Sequence, residues 1–362
     1  MISAIKRSNK GRNIVVCMVL AQAVLFVDWS GFTISAQPAL PKVLIIGTGG
    51  TIAEKIDPQT HAAVPAVSTE DLIAAVPELK RLATIETEQL MNIDSSQATP
   101  GDWLKLARRV REAQRDPSVT GIVITHGTDT MEEAVFFVDR TLESDKPVVF
   151  VGAQRNASAP DSDGPGNIRD AVTLAVSPLA KGIGATIVMN GYITPAVGAR
   201  KTETINVQTF MGGDGGFLGY VGQGQVRMLR KPLRKPPLPL PDKLPNVAFV
   251  SVYSGSDGSF LKKALEDGAE GLVVEGVGAG NVNKANYEVI KQALKKNIPV
   301  VITSRVYFGS VFPIYGGDGG GKTLSDDGCI LANDMTSPQA RLMLILALAQ
   351  TKDPAKLKEH FR

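Results

Sequence analysis

The chain has 362 residues, 43% of them hydrophobic and 21% charged, with a formal net charge of +3. That length allows two domains of ordinary size, and the composition is that of a folded globular chain rather than a disordered one. So small a net charge gives no ground for binding nucleic acid or an anionic membrane. Two cysteines (Cys17, Cys329) and three histidines (His61, His126, His360) leave little material for a metal centre of thiolates or several imidazoles, so no metal and no cofactor is expected.

The N-terminus reads as a secretory signal over residues 1–36. Lys6, Arg7, Lys10 and Arg12 form a basic start, an apolar run follows over 14–27, and a polar stretch ends in small residues at Ala36. A membrane anchor is the competing reading, but Asp28 interrupts the run before it reaches the ~20 apolar residues a span needs. Cleavage would place the mature chain in the periplasm or outside the cell, without membrane attachment. It would also remove Cys17 and leave Cys329 with no partner for an internal disulfide.

From Lys42 onward, short β-branched runs alternate with helical patterns. Residues 43–46, 121–125, 147–151 and 185–189 read as buried parallel strands, and 102–113, 131–142 and 167–176 as helices between them. Residues 227–245 break the pattern with six prolines among basic residues, which excludes a helix or a central strand and suggests a semi-rigid linker. A second alternation follows, with strands at 247–252, 271–275 and 299–303 and helices at 260–267, 284–296 and 337–350. The expected fold class is α/β, in two domains with largely parallel sheets. The N-terminal catalytic domain would span 41–226, the linker 227–246 and the C-terminal domain 247–362.

Ligands of a parallel sheet bind beyond the carboxyl ends of its strands. Two strands end there in unusual polar loops, Gly47-Thr48-Gly49-Gly50-Thr51 and His126-Gly127-Thr128-Asp129-Thr130. The glycines let backbone approach a ligand and leave N–H groups for a developing oxyanion, and Thr51 could bring a hydroxyl to the same place. A threonine hydroxyl is a weak nucleophile that needs a base beside it, and Thr128 with Asp129 supplies a second hydroxyl next to a carboxylate. Thr130 and Glu133 read as a capping box for the helix that follows. His126 reads as a hydrogen-bonded structural histidine.

Thr48-Gly49-Gly50-Thr51-Ile52-Ala53, together with Ile124-Thr125-His126-Gly127-Thr128-Asp129-Thr130-Met131-Glu132-Glu133, resembles the bacterial type II L-asparaginase and glutaminase-asparaginase family. The similarity runs from about Lys42 to the C-terminus and includes Gly152-Ala153-Gln154-Arg155, Asp163-Gly164-Pro165 and Ser337-Pro338-Gln339-Ala340-Arg341. The resemblance implies an asparaginase-like two-domain fold and hydrolysis of L-asparagine through a threonine acyl-enzyme, with L-glutamine as a second substrate. It assigns Thr51 as nucleophile and Thr128, Asp129 and Lys201 as a second catalytic constellation. Gly50, Ser95, Ser96, Thr128 and Asp129 would contact substrate, Ser95 through the α-carboxylate and Asp129 through the α-amino group. It also implies a homotetramer with each site at a subunit interface.

Two departures from the family pattern stand out. The segment after the nucleophile loop, residues 54–65, lacks the tyrosine that relatives direct at the nucleophile; Ala62 aligns there. Tyr307, Tyr315 and His61 are candidates to replace its hydroxyl. The acidic residue relatives supply from a neighbouring subunit has only Asp318 as a candidate, and Ala279 stands where some relatives have asparagine. Alternative readings are an amidohydrolase for D-asparagine or another small amide, a weakly active amino-acid-binding relative, and a nucleotide-binding protein. The last rests on residues 316–323, which formally satisfy the phosphate-loop pattern although the residues that follow them do not read as a helix.

Overall fold

A computed structural model describes residues 39–65 and 67–361. The expected signal segment over 1–36, with Cys17, lies outside them. Among the described residues no helix is long and apolar enough to cross a membrane.

The first strand, β1 (Lys42–Gly47), is buried along all but its first residue. A short hairpin, β2 (Glu54–Ile56) and β3 (Ala63–Pro65), follows it, then helix α1 (Thr69–Ala74) and β4 (Thr84–Gln89). Next come α2 (Pro100–Arg115), β5 (Val119–Thr125), α3 (Met131–Asp139), β6 (Val148–Val151), α4 (Gly164–Ala175) and β7 (Ala185–Met189). These five long strands lie parallel in the order β4-β1-β5-β6-β7. Strand order reverses at β1: the chain leaves it for β4 on one side and returns to β5 on the other. The crevice at the carboxyl ends of β1 and β5 is therefore a topological switch point, the place where open α/β sheets bind ligands.

The sheet then turns antiparallel through β8 (Tyr192–Pro195), and after the small hairpin of β9 (Arg200–Lys201) and β10 (Phe210–Met211) it is completed by β11 (Gly219–Gly222) and β12 (Gln225–Met228). This antiparallel extension carries no strong period-2 pattern and was not expected from the sequence. Lys201 sits on β9, where it pairs with Phe210.

The proline-rich stretch is irregular and largely exposed, but it is strapped to the first domain. Arg108 and Arg111 of α2 donate to the carbonyls of Pro241 and Leu238 at 3.0 and 2.8 Å. The Leu238 N–H donates to Arg140 O at 2.8 Å, and the Leu238 side chain is buried. Proline blocks regular structure but leaves the carbonyls free to accept, and the arginines of α2 use them.

A second, wholly parallel sheet follows in sequential order: β13 (Val247–Ser251), β14 (Gly271–Gly276), β15 (Val300–Ser304) and β16 (Ile330–Leu331). Its helices are α5 (Ser259–Glu266), α6 (Lys284–Lys295), α7 (Gly321–Asp326), α8 (Ser337–Leu348) and α9 (Pro354–Glu359). Helix α8 is apolar nearly all round and packs between the second sheet and α3. One core runs from Ile46 and Ile122 through Phe136 and Leu344 to Val273 and Val301. Burial on several sides is what an all-apolar helix requires.

Candidate active site

Three loops meet at the switch point, and their glycines show how closely. A Cβ placed on Gly50 would lie 2.2 Å from the Gly127 Cα, and one on Gly127 would lie 2.4 Å from Ser95 Oγ. Gly49 and Gly50 also have φ of 105° and 88°, conformations that favour glycine. The loop after β1 is tied down by Thr48, whose N–H and hydroxyl both donate to Thr125 O, at 3.1 and 2.7 Å. The Ile93 N–H donates in turn to Thr48 O at 3.0 Å, which brings the Asp94–Ser95 turn alongside.

Thr51 opens a single 3₁₀ turn, Thr51–Ala53, capped by Gly50. The turn ends on Glu54, a residue only 8% exposed. Burial pushes the Glu54 carboxyl above its ordinary range. The nearby carboxylates of Asp94 and Asp129 push it the same way, and the hydrogen-bonding Thr51 hydroxyl partly offsets them. The Gly50 N–H makes no hydrogen bond among the described residues and is available to a ligand oxygen.

On the β5 side, Thr128 is buried and Asp129 exposed. Lys201 Nζ donates to Thr128 Oγ1 at 2.8 Å and to Asp129 Oδ1 at 2.7 Å. The three side chains that the resemblance grouped, separated by more than 70 residues, are thus in direct contact. Glu132, on the first turn of α3, accepts the backbone N–H of Lys201 and so fixes the strand from which the lysine projects. Burial raises the Glu132 carboxyl to about 7. Gln154 forms the back of this cluster: its Nε2 donates to Thr209 Oγ1 at 2.6 Å, and Asp163 accepts its N–H at 3.1 Å. Glu132 and Gln154 stand inside the motifs that carried the resemblance, but nothing in the sequence gave them a task. Their partners are 69 and 55 residues away.

Ser95 is buried beside Gly127, whereas Ser96 is exposed and accepts from Gln97 Nε2 at 3.2 Å. Thr130 is not the capping side chain expected. Its hydroxyl donates to Ser95 O at 2.8 Å, so a tertiary partner has displaced the local one, and the helix starts on backbone bonds alone. His126 is fully buried and donates from Nδ1 to Gly127 O at 2.7 Å; burial lowers its pKa and keeps it neutral, a structural role.

None of the three candidates for the absent lid hydroxyl bonds to Thr51 among the described residues. The Tyr307 ring lies under the Arg200 guanidinium, 5.2 Å from its centroid, Tyr315 is exposed, and His61 sits exposed at the tip of the β2–β3 hairpin. Asp318 pairs with Lys284 at 3.1 Å. The phosphate-loop pattern at 316–323 does open a helix, α7, contrary to expectation, because Gly320 and Gly321 fit the tight entry between Tyr315 and Phe312. No strand leads into it, however, since β15 ends at Ser304, and Lys322 pairs with Asp326. A cavity of about 450 Å³ lies beyond Arg200, lined by Arg140, Arg230, Asp214 and Tyr307. None of Gly50, Thr51, Ser95, Thr128, Asp129 and Lys201 lines it; their cluster lies on the open edge of the sheet.

Comparison with known proteins agrees with this geometry. The family profile "Asparaginase, N-terminal" matches residues 42–234, and "Glutaminase/Asparaginase C-terminal domain" matches 246–361. A Haemophilus influenzae protein named "Probable L-asparaginase periplasmic" is 38% identical, over 91% of this chain and 95% of its own length. Escherichia coli L-asparaginase 2 is 36% identical, over 94% and 97%. The crystal structure of a Campylobacter jejuni protein titled "Probable Cytoplasmic L-asparaginase" is 39% identical, with a TM-score of 0.81 over 89% of this chain and 99% of that one. With both family domains matched in order and the loop residues in contact at the switch point, the chain belongs to the asparaginase family of amidohydrolases.

Proposed function

We propose that this protein hydrolyses the side-chain amide of L-asparagine to L-aspartate and ammonia through a threonine acyl-enzyme, with L-glutamine as a slower second substrate. The observation that carries the reading is the contact of Lys201 with both Thr128 and Asp129 beside the Gly50–Thr51 loop. Thr51 Oγ1 attacks the amide carbon, and the oxyanion that forms is met by backbone N–H groups of the glycine loop. The Lys201 ammonium lowers the cost of charge on Thr128, and Asp129 receives the substrate α-amino group. Ser95 Oγ, buried beside Gly127, serves the α-carboxylate, with Ser96 at the outer side.

The open position of the cluster, with Asp129 59% exposed on its side chain, favours a homotetramer in which a neighbouring subunit completes the site. The same reading divides the chain into an N-terminal catalytic domain over 41–226, the proline-rich connection and a C-terminal domain over 247–362. A cleaved signal over 1–36 and a periplasmic or secreted location accord with the name of the Haemophilus relative and run against that of the Campylobacter protein.

The test is ammonia release from L-asparagine, L-glutamine and D-asparagine by the mature protein. The reading requires the highest kcat/KM on L-asparagine. A preference for D-asparagine, or binding without turnover, would replace it.

A further inference from the structure

Lys201 is not alone in reaching the Thr128 hydroxyl. Gln154 Oε1 lies 3.5 Å from Thr128 Oγ1, and both ends of Gln154 are held in place. The Asp163 carboxylate accepts the Gln154 and Arg155 N–H groups at 3.1 and 2.9 Å, and Asn167 Nδ2 donates to it at 3.0 Å. At the far end, Gln154 Nε2 donates to Thr209 Oγ1 at 2.6 Å and to Glu203 O at 3.4 Å. The buried Thr209 hydroxyl donates to the same Glu203 carbonyl at 2.7 Å.

These bonds have one consistent direction. A carbonyl oxygen only accepts, so the Thr209 proton is spent on Glu203 O, and Thr209 Oγ1 accepts from Gln154. Turning the amide over would leave one of the two short contacts of Thr209 without a proton. The Nε2 end therefore faces Thr209, and Oε1, which only accepts, faces Thr128. Lys201, an ammonium paired with Asp129 at 2.7 Å, only donates. Thr128 Oγ1 thus accepts from Lys201 and gives its own proton to Gln154, which leaves it one lone pair for the substrate.

We propose that Gln154, held by Thr209, is a positioning residue that fixes Thr128 as a hydrogen-bond acceptor toward the substrate. This rests on the reading of Thr128 as part of the catalytic site. The consequence is a choice of amide orientation. An acceptor at Thr128 takes an N–H of the side-chain amide and repels its carbonyl oxygen, which is left to the N–H groups of the glycine loop. Once ammonia has left, the same lone pair accepts from the attacking water and orients it. The 3.5 Å separation is long for an O–H···O bond, and contacts of this kind tighten in the substrate complex.

The experiment measures kcat and KM on L-asparagine, L-aspartate binding and melting curves for wild type, Gln154→Met, Thr209→Val, Thr209→Ser, Thr128→Ala and the double variant Thr128→Ala with Gln154→Met. Gln154→Met keeps the length of the side chain and loses the amide; it is expected to lower kcat by about 10–100-fold while L-aspartate binding stays within about two-fold. Thr209→Val should move kcat the same way, because Nε2 loses its acceptor, and Thr209→Ser, which keeps the hydroxyl, should recover most of the rate. The double variant decides whether Gln154 works through Thr128: if it does, Gln154→Met costs nothing further once Thr128 is alanine. The same fold-loss in both backgrounds, or Gln154→Met within about two-fold of wild type, would overturn the role of Gln154 and leave Thr128 and Thr51 standing. A fully active Thr128→Ala would remove the reading of Thr128 and this role with it. If Gln154→Met melts early, the Thr209 pair decides: a loss with valine alone supports the relay, and equal rates for valine and serine reject it.

Discussion

Glu132 shows how one side chain can position another through its backbone. It is half-buried on the first turn of α3 and accepts the Lys201 N–H, so the lysine is presented from a fixed strand. Its carboxyl titrates near 7 against an ordinary 4.5. Between those values the folded chain holds a proton there that the unfolded chain has released. Its contribution to stability is therefore full below 4.5 and is lost as pH rises toward 7, by at most roughly 3 kcal/mol. Glu132→Gln should flatten that part of the curve of melting midpoint against pH; superimposable curves for variant and wild type would contradict the assignment. At this scale the sequence was legible where a motif marked a loop, and the loops bearing Thr51, Thr128 and Asp129 do meet at the switch point. It was opaque where the meaning of a residue lay in a distant partner.

Among the elements, helix α8 ties the second sheet to the site. Gln339, fully buried on its first turn, donates to Ala196 O and Ala199 O at 2.9 and 3.2 Å and accepts the Gly198 N–H at 3.0 Å. That loop runs directly into Arg200 and Lys201. Gln339→Ala would leave the Ala199 carbonyl and the Gly198 N–H without partners, leave the Ala196 carbonyl with only the Ala199 N–H, and open a small cavity, a loss of about 2–4 kcal/mol. The melting midpoint and kcat should fall together, because the lysine loses its anchor. An unchanged midpoint, or a lower midpoint with full activity, would show that the loop holds Lys201 without α8. The parallel strands and long helices were readable from buried β-branched runs and helical periodicity. The extension by β8, β11 and β12 was not, because each strand is only four residues long and pairs antiparallel with a neighbour rather than showing a pattern of its own. Thr130 was read as a cap because local rules see only the next turn, whereas Ser95 O reached it across 35 residues of chain.

Across the whole molecule, the two sheets share one apolar core through α3 and α8, and the proline-rich stretch is strapped to α2 by arginines. The crevice between β1 and β5 thus opens on a rigid edge. This rigidity matters because a nucleophile, its base and its oxyanion donors must hold their geometry to within a fraction of an ångström. The central claim is that Thr51 is the nucleophile of an asparagine amidohydrolase, and it is tested most directly by ammonia release from L-asparagine by wild type and Thr51→Ala. The account predicts rapid release by the wild type and a loss of at least about 10³-fold in the folded variant. Equal release by the two proteins would contradict it.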